Sequence, residues 1–287
     1  MPIDVDRVVG RELPGDRYSW GPDDVIRYHL GIGAGYPDGP AGDLPWLYEP
    51  QLRVLPSFGV LPVFPTLAGV LALDGVSVNP LLILHGEQEI VVHRPLPDRA
   101  EVTNTGRVTG VFDKGKGALI VAETDTVDES GNLLCTNRFG IFARGEGGFG
   151  GPSGPAPTVG SPSRPPDVVH ESPTLPQQAA LYRLCGDKNP LHIDPALAAM
   201  AGYDRPILHG LCSYGIALKA VVDRVLDGDP GRVRGWGARF SGVLFPGETV
   251  STSMWVEPGR VLVTAACRER GTPVISHGVV TLADAEA

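Results

Sequence analysis

The chain has 287 residues, 42% of them hydrophobic, enough to bury a sizeable core and too apolar for wholesale disorder. Its 38 glycines and 28 prolines exclude a helical bundle throughout, because Gly and Pro cost about 1 and 3 kcal/mol in helix interiors. A formal charge of −9 argues against nucleic acid as a partner, and no apolar run reaches the ~18 residues a membrane span needs. The acidic opening MPIDVDRVV and four scattered cysteines without CxxC spacing (Cys135, Cys185, Cys212, Cys267) point to a reduced, cytoplasmic compartment.

In chain order, PDDVIRYHLG (22–31) forms a helix-bearing opening. The apolar stretch PSFGVLPVFPTLAGVLAL (56–73) follows, with Pro62 and Pro65 in its interior. Each interior proline removes a backbone hydrogen bond and costs ~3 kcal/mol or more, so a broken helix is expected there. The volume it leaves would be lined by Val60, Leu61, Val63, Phe64, Leu67 and Val70 and would suit a hydrocarbon chain. Segments 89–94, 100–112, 118–127 and 133–143 are rich in β-formers. Residues 145–166 are Gly or Pro at 13 of 22 positions, which predicts an extended linker unable to pack a core. Beyond it, Ile207, Leu211, Tyr214, Leu218, Val222 and Val225 recur at steps of three and four, one apolar helix face with Pro206 in the first turn. Val250, Thr252, Met254 and Val256, then Val261, Val263, Ala265 and Cys267, repeat with the period of two that marks strands.

The two halves resemble each other. Pro22, Tyr28 and Leu30 match Pro176, Tyr182 and Leu184 at an offset of 154. ESGNLLCTNRFGIFA (129–143) aligns without gaps to ERGTPVISHGVVTLA (269–283). Their common order within each half indicates a duplication: residues 1–144, a linker at 145–166, and residues 167–287. Two copies of strands around a helix give an α+β fold with the sheets side by side. Leu84-His85-Gly86 and Leu208-His209-Gly210 look alike, but their offset of 124 fits neither alignment.

The chemistry concentrates in the second copy, in YRLCGDKNPLHIDP (182–195). Asn189-Pro190 biases the backbone away from helix, which places Asp187, Asn189 and His192 on one fixed turn. Such a turn can point a carboxylate and an imidazole at one bound water. PILHG (206–210) opens the apolar helix, where unpaired N–H groups favour developing negative charge. Taken singly, Asp187 reads equally as a helix cap, and His192 and His209 as structural histidines. Asp187, His192 and Asp194 could bind a metal, but no recognised zinc or EF-hand spacing is present. At the offset of 154, Asp187, Asn189 and His192 face Gly33, Gly35 and Asp38, so the first copy has lost all three groups.

The stretch from Tyr182 to Gly210 closely resembles the hydratase 2 motif of the MaoC-like, double hot-dog (R)-specific enoyl-CoA hydratases. LHGEQEIVVHRPLP (84–97), FDKGKG (112–117), FARGEGGFGG (142–151) and PGETVSTSMW (246–255) extend the likeness over nearly the whole chain. The resemblance implies that Asp187 and His192 are the catalytic pair handling water and that Asn189 helps hold it. It makes Gly210 the backbone donor to the thioester carbonyl, and His85, Gly86, Lys114 and Phe240 the lining of the substrate and CoA site. It further implies a homodimer and an acyl-CoA thioester substrate, with no metal and no cofactor beyond the CoA of that substrate. Because a net charge of −9 gives no global attraction for CoA phosphates, capture must be local, with Arg183, Lys114 and Lys116 as candidates. Competing readings are dehydration of an acyl-carrier-protein thioester, thioester hydrolysis, and an acyl-CoA-binding subunit without turnover.

Overall fold

The structure, a computed structural model, describes residues 3–79, 82–155, 159–160 and 162–283. The first half runs α1 (Val5–Val8), β1 (Glu12–Trp20), α2 (Pro22–Gly31), α3 (Leu44–Leu47), α4 (Phe64–Ala68), β2 (Ile83–Val92), β3 (Ala100–Asp113), β4 (Gly117–Asp128) and β5 (Leu133–Arg144). The second runs β6 (Val168–Pro173), α5 (Gln178–Tyr182), α6 (Pro195–Met200), α7 (Gly210–Val225), β7 (Val233–Phe240), β8 (Thr249–Glu257), β9 (Arg260–Cys267) and β10 (Pro273–Leu282).

All ten strands join one antiparallel sheet in the order β1-β3-β4-β5-β2-β7-β10-β9-β8-β6. Counted outward from the β2–β7 junction, both halves have the same order, which is the duplication expressed as topology. The two segments aligned at the ends of the halves become β5 and β10, each placed next to its junction strand. Tyr28 and Tyr182, aligned at the offset of 154, are both fully buried and meet with ring centroids 6.2 Å apart. This is the double hot-dog, α+β architecture expected from the sequence.

The central helix of the second half, α7, buries Leu211, Tyr214, Leu218 and Val222 against the sheet that wraps it. It starts at Gly210, not at Pro206 as the apolar spacing suggests. Pro206–Leu208 stay outside because the Leu208 N–H donates to the Leu244 carbonyl (2.7 Å) instead of entering the helix ladder. Its counterpart in the first half is broken, as the prolines require: a 3-10 turn at Pro56–Val60, then α4, then a 3-10 turn at Gly69–Ala72. Two buried asparagines accept the consequences. Asn104 Nδ2 donates to the Pro62 carbonyl (2.7 Å) and Asn137 Nδ2 to the Gly59 carbonyl (3.0 Å).

Among the described residues, the side chains expected to line an acyl pocket pack into the cores instead. Val60, Leu61 and Val63 are buried with Trp20, Tyr28 and Phe58, Val70 is buried in a smaller core, and Phe64 and Leu67 pack against these cores. Short segments can turn independently, so each presents its apolar side chains inward and closes the gap. The linker also departs from expectation. Gly148 and Gly150 N–H groups donate to the Asp113 carboxylate (both 2.8 Å), and Phe149 packs on the smaller core of the first half. Among the described residues no helix is long and apolar enough to cross a membrane.

Candidate active site

Gly186 sets the turn. Its φ of 128° lies where only glycine sits without strain, and it ends the 3-10 turn Arg183–Cys185 that follows α5. Asp187 then accepts from the Asn189 N–H (3.1 Å), and Asn189 accepts from the Leu191 N–H (3.0 Å), capping the 3-10 turn Pro190–His192. Asp187 is therefore no helix cap; Asp194 takes that part for α6 through the N–H groups of Ala196 and Leu197. Asp194 is thus also removed from the metal set that the sequence allowed.

A cavity of about 280 Å³ opens over this turn. Asp187, Asn189 and His192 line it from one side, Gly210 from the start of α7, and His85 and Phe240 from β2 and β7 at the junction of the halves. Among the described residues the N–H groups of Gly210 and Leu211 have no acceptor, as the first turn of a helix demands, and they face an oxygen ligand unpaired. A Cβ at Gly210 would lie 3.2 Å from the Phe240 ring, so glycine keeps this approach open.

The imidazoles are held neutral. His192 Nδ1–H donates to the Ile207 carbonyl (2.9 Å), which leaves Nε2 as an acceptor. Burial lowers the His192 pKa, opposed by the nearby Asp187 charge and by the bond to Ile207. His209 stacks on His192 with centroids 3.8 Å apart and donates from Nε2 to the Asp187 carbonyl (3.3 Å). Burial, then the proximity of His192, pushes His209 down to about 2, and its buried Nδ1 has no partner. His209 therefore braces both members of the pair. Donor atoms of Asp187, His192 and His209 fall within 4.8 Å of one another.

The remaining sequence candidates divide. His85 stacks on Phe139 (5.4 Å) and meets the edge of Phe240 (5.0 Å), and burial lowers its pKa to about 4. Gly86 is the bulged residue where β2 shifts register against β5, so it turns His85 toward the cavity without lining it. Lys114 is not brought in: it sits on the β3–β4 hairpin, its Nζ donating to the Ser153 carbonyl. Arg183 and Lys116 do not line the cavity either. Sequence reasoning missed Arg144 and Tyr203, which do, and whose contact (Nη2 to hydroxyl, 3.1 Å) spans the two halves. Arg144 lies within FARGEGGFGG (142–151), but only the fold joins it to Tyr203, 59 positions away.

Fold and site together define a MaoC-like hydratase or dehydratase. Residues 18–145 match the MFE-2 hydratase 2 N-terminal domain and residues 157–278 the MaoC like domain. "Enoyl-CoA hydratase ChsH3" of Mycobacterium tuberculosis is 44% identical, covering 97% of this chain and 98% of that one. "Enoyl-CoA hydratase 2, peroxisomal" of Arabidopsis thaliana is 42% identical over 94% and 93%. The crystal structure of a MaoC-like dehydratase from Phytophthora capsici superposes with a TM-score of 0.87 at 34% identity, covering 99% of this chain and all of that one. The chain belongs to the enoyl-CoA hydratase 2 family.

Proposed function

We propose that the protein adds water reversibly to trans-2-enoyl-CoA, giving the (3R)-3-hydroxyacyl-CoA. The observation that carries this reading is the convergence of Asp187, His192 and the free Gly210 N–H on one cavity. The thioester carbonyl accepts from the Gly210 N–H, and charge gathers on that oxygen as the alkene is attacked; such a donor contributes ~2.7–4 kcal/mol. A water between Asp187 and His192 gives its oxygen to Cβ, while one of its protons passes through the pair to Cα, so the pair ends unchanged. Because both groups stand on one turn, hydrogen and hydroxyl arrive on the same face.

In this reading residues 167–287 supply the chemistry, residues 1–144 shape the pocket, and 145–166 link them. No metal or added cofactor takes part, the protein acts as a homodimer, and its four free, buried cysteines suit a reducing cytoplasm. The same atoms run in reverse would dehydrate a carrier-bound 3-hydroxyacyl thioester. The test is chiral analysis of the product from crotonyl-CoA in the presence of a chelator. The (3R) alcohol at undiminished rate is expected; the (3S) alcohol, free thiol instead of alcohol, or a metal requirement overturns the assignment.

A further inference from the structure

We infer that Arg144, contributed by the catalytically empty half, binds a phosphate group of the CoA moiety and makes the site selective for CoA thioesters over shorter ones. The inference rests on the thioester reading above and names a residue that this reading does not need for chemistry.

Arg144 is the last residue of β5 and, among the described residues, the one basic side chain other than histidine that lines the cavity. It is half-buried, and none of the ion pairs among the described residues includes it. By contrast, Arg239 and Arg270 nearby in the second half are paired with Glu87 (2.6 Å) and Glu248 (2.7 Å). Its hydrogen bond goes to a neutral partner, the Tyr203 hydroxyl, which fixes the guanidinium without neutralising it. Removing a cation from water without a counter-charge is costly, and a guanidinium presents five donors in a fork that matches phosphate oxygens.

Position supports the same ligand. Arg144 pairs in register with Gly117, and the Gly145 N–H donates to the Lys116 carbonyl (2.9 Å). The cavity mouth therefore adjoins the hairpin carrying the half-buried Lys114 and the exposed Lys116. A chain leaving the cavity over Arg144 meets positive charge outside, although the protein as a whole carries −9. The acyl end, in contrast, meets Leu208, Leu211, Leu244 and Val274 within.

The experiment compares kcat/KM of wild type, Arg144→Ala, Arg144→Lys and Tyr203→Phe on three crotonyl thioesters: CoA, 3′-dephospho-CoA and pantetheine. A charge-assisted contact predicts a loss of ~10- to 100-fold for Arg144→Ala on the CoA thioester, mostly in KM, shrinking to ~2-fold on the pantetheine thioester. Arg144→Lys should recover part of the loss, and Tyr203→Phe should lose less than Arg144→Ala. A penalty surviving on dephospho-CoA assigns the contact to the pyrophosphate, and one abolished there assigns it to the 3′-phosphate. Equal penalties on CoA and pantetheine thioesters, or none on CoA, overturn the inference, and unchanged thermal melting separates either result from misfolding. If wild type itself hydrates none of the three, the hydratase reading fails instead.

Discussion

The β2–β7 junction carries a cavity at each end, and only one holds chemistry. The second cavity, about 670 Å³, is lined by Arg53, Val54 and Pro56, which stand 154 positions before Ile207, Leu208 and Gly210 of the first. Strand ends are exchanged in the same way: the start of β7 (Val233, Arg234) replaces the start of β2 (Leu84, His85). Yet Gly33, Gly35 and Asp38 do not line it, and the position matching Gly210 is Pro56, which has no N–H to offer. The duplicated frame persists because each strand end and apolar wall is also part of a core. The groups proposed for the chemistry are confined to the turn 186–192 and the start of α7, so the first copy could change there and still keep its sheet.

The largest effect should therefore fall on one side of this comparison. Asp187→Asn and His192→Ala are each expected to lower kcat by ~10²-fold or more, and the double variant to be little worse than either, because the two act on one water. Multiplicative losses in the double variant would contradict that. The counterpart Asp38→Asn should leave kcat within about 2-fold, since Asp38 lines neither cavity.

This asymmetry also decides what the sequence could reveal. The turn from Gly186 to His192 is contiguous, so its residues could be read together, and the prolines of 56–73 announced the broken helix. Period-two alternation marked β8 and β9, whereas β1, β6 and β7 escaped. The segment ELPGDRYSW of β1 carries Pro14 and Gly15 at a register shift, features tolerated on an edge strand but indistinguishable from a loop in sequence. β6 is a six-residue edge ending at Pro173, and β7 is interrupted by Gly235 and Gly237. The filling of the gap around Val60 and Val63, and the meeting of Arg144 with Tyr203, depend on packing between distant segments. Lys114 lies outside the cavity of the described residues, on the β3–β4 hairpin, with its Nζ on the Ser153 carbonyl.

A second comparison concerns the two central helices. The broken one exposes backbone carbonyls that the continuous α7 satisfies internally, and Asn104 serves one of them while accepting from Thr126 Oγ1 (2.8 Å). Asn104→Leu strands the Pro62 carbonyl in the core and should cost roughly 1–3 kcal/mol of stability in urea titration. Thr252 on β8, the strand corresponding to β3, is as deeply buried, but its hydroxyl has no partner. Thr252→Val should be neutral or stabilising there. An equal cost at both positions would mean that burial, and not the broken helix, sets the requirement.

A more symmetric effect is expected from pH, because burial lowers His29 and His85 in the first half and His192 and His209 in the second. His29 donates from Nδ1 to the Trp46 carbonyl (2.8 Å) and accepts at Nε2 from the N–H of Leu55, the residue 154 positions before His209. Burial lowers His29 to about 4 and His209 to about 2, both below the ordinary value of 6.5. Below pH 6.5 the unfolded chain binds protons that the folded chain refuses, so the stability these residues contribute is complete above that pH and declines as pH falls. The decline is about 1.4 kcal/mol per pH unit for each fully shifted histidine, continuing to about pH 4 for His29 and further for His209. Urea midpoints measured from pH 7.5 to 5 should therefore be flat at first and then fall steadily. His29→Gln, which keeps a polar side chain without a titrating ring, should remove only the His29 share of that slope and leave those of His85, His192 and His209 in place. A midpoint that does not change between pH 7 and pH 5 would mean that neither ring is protected as the packing implies.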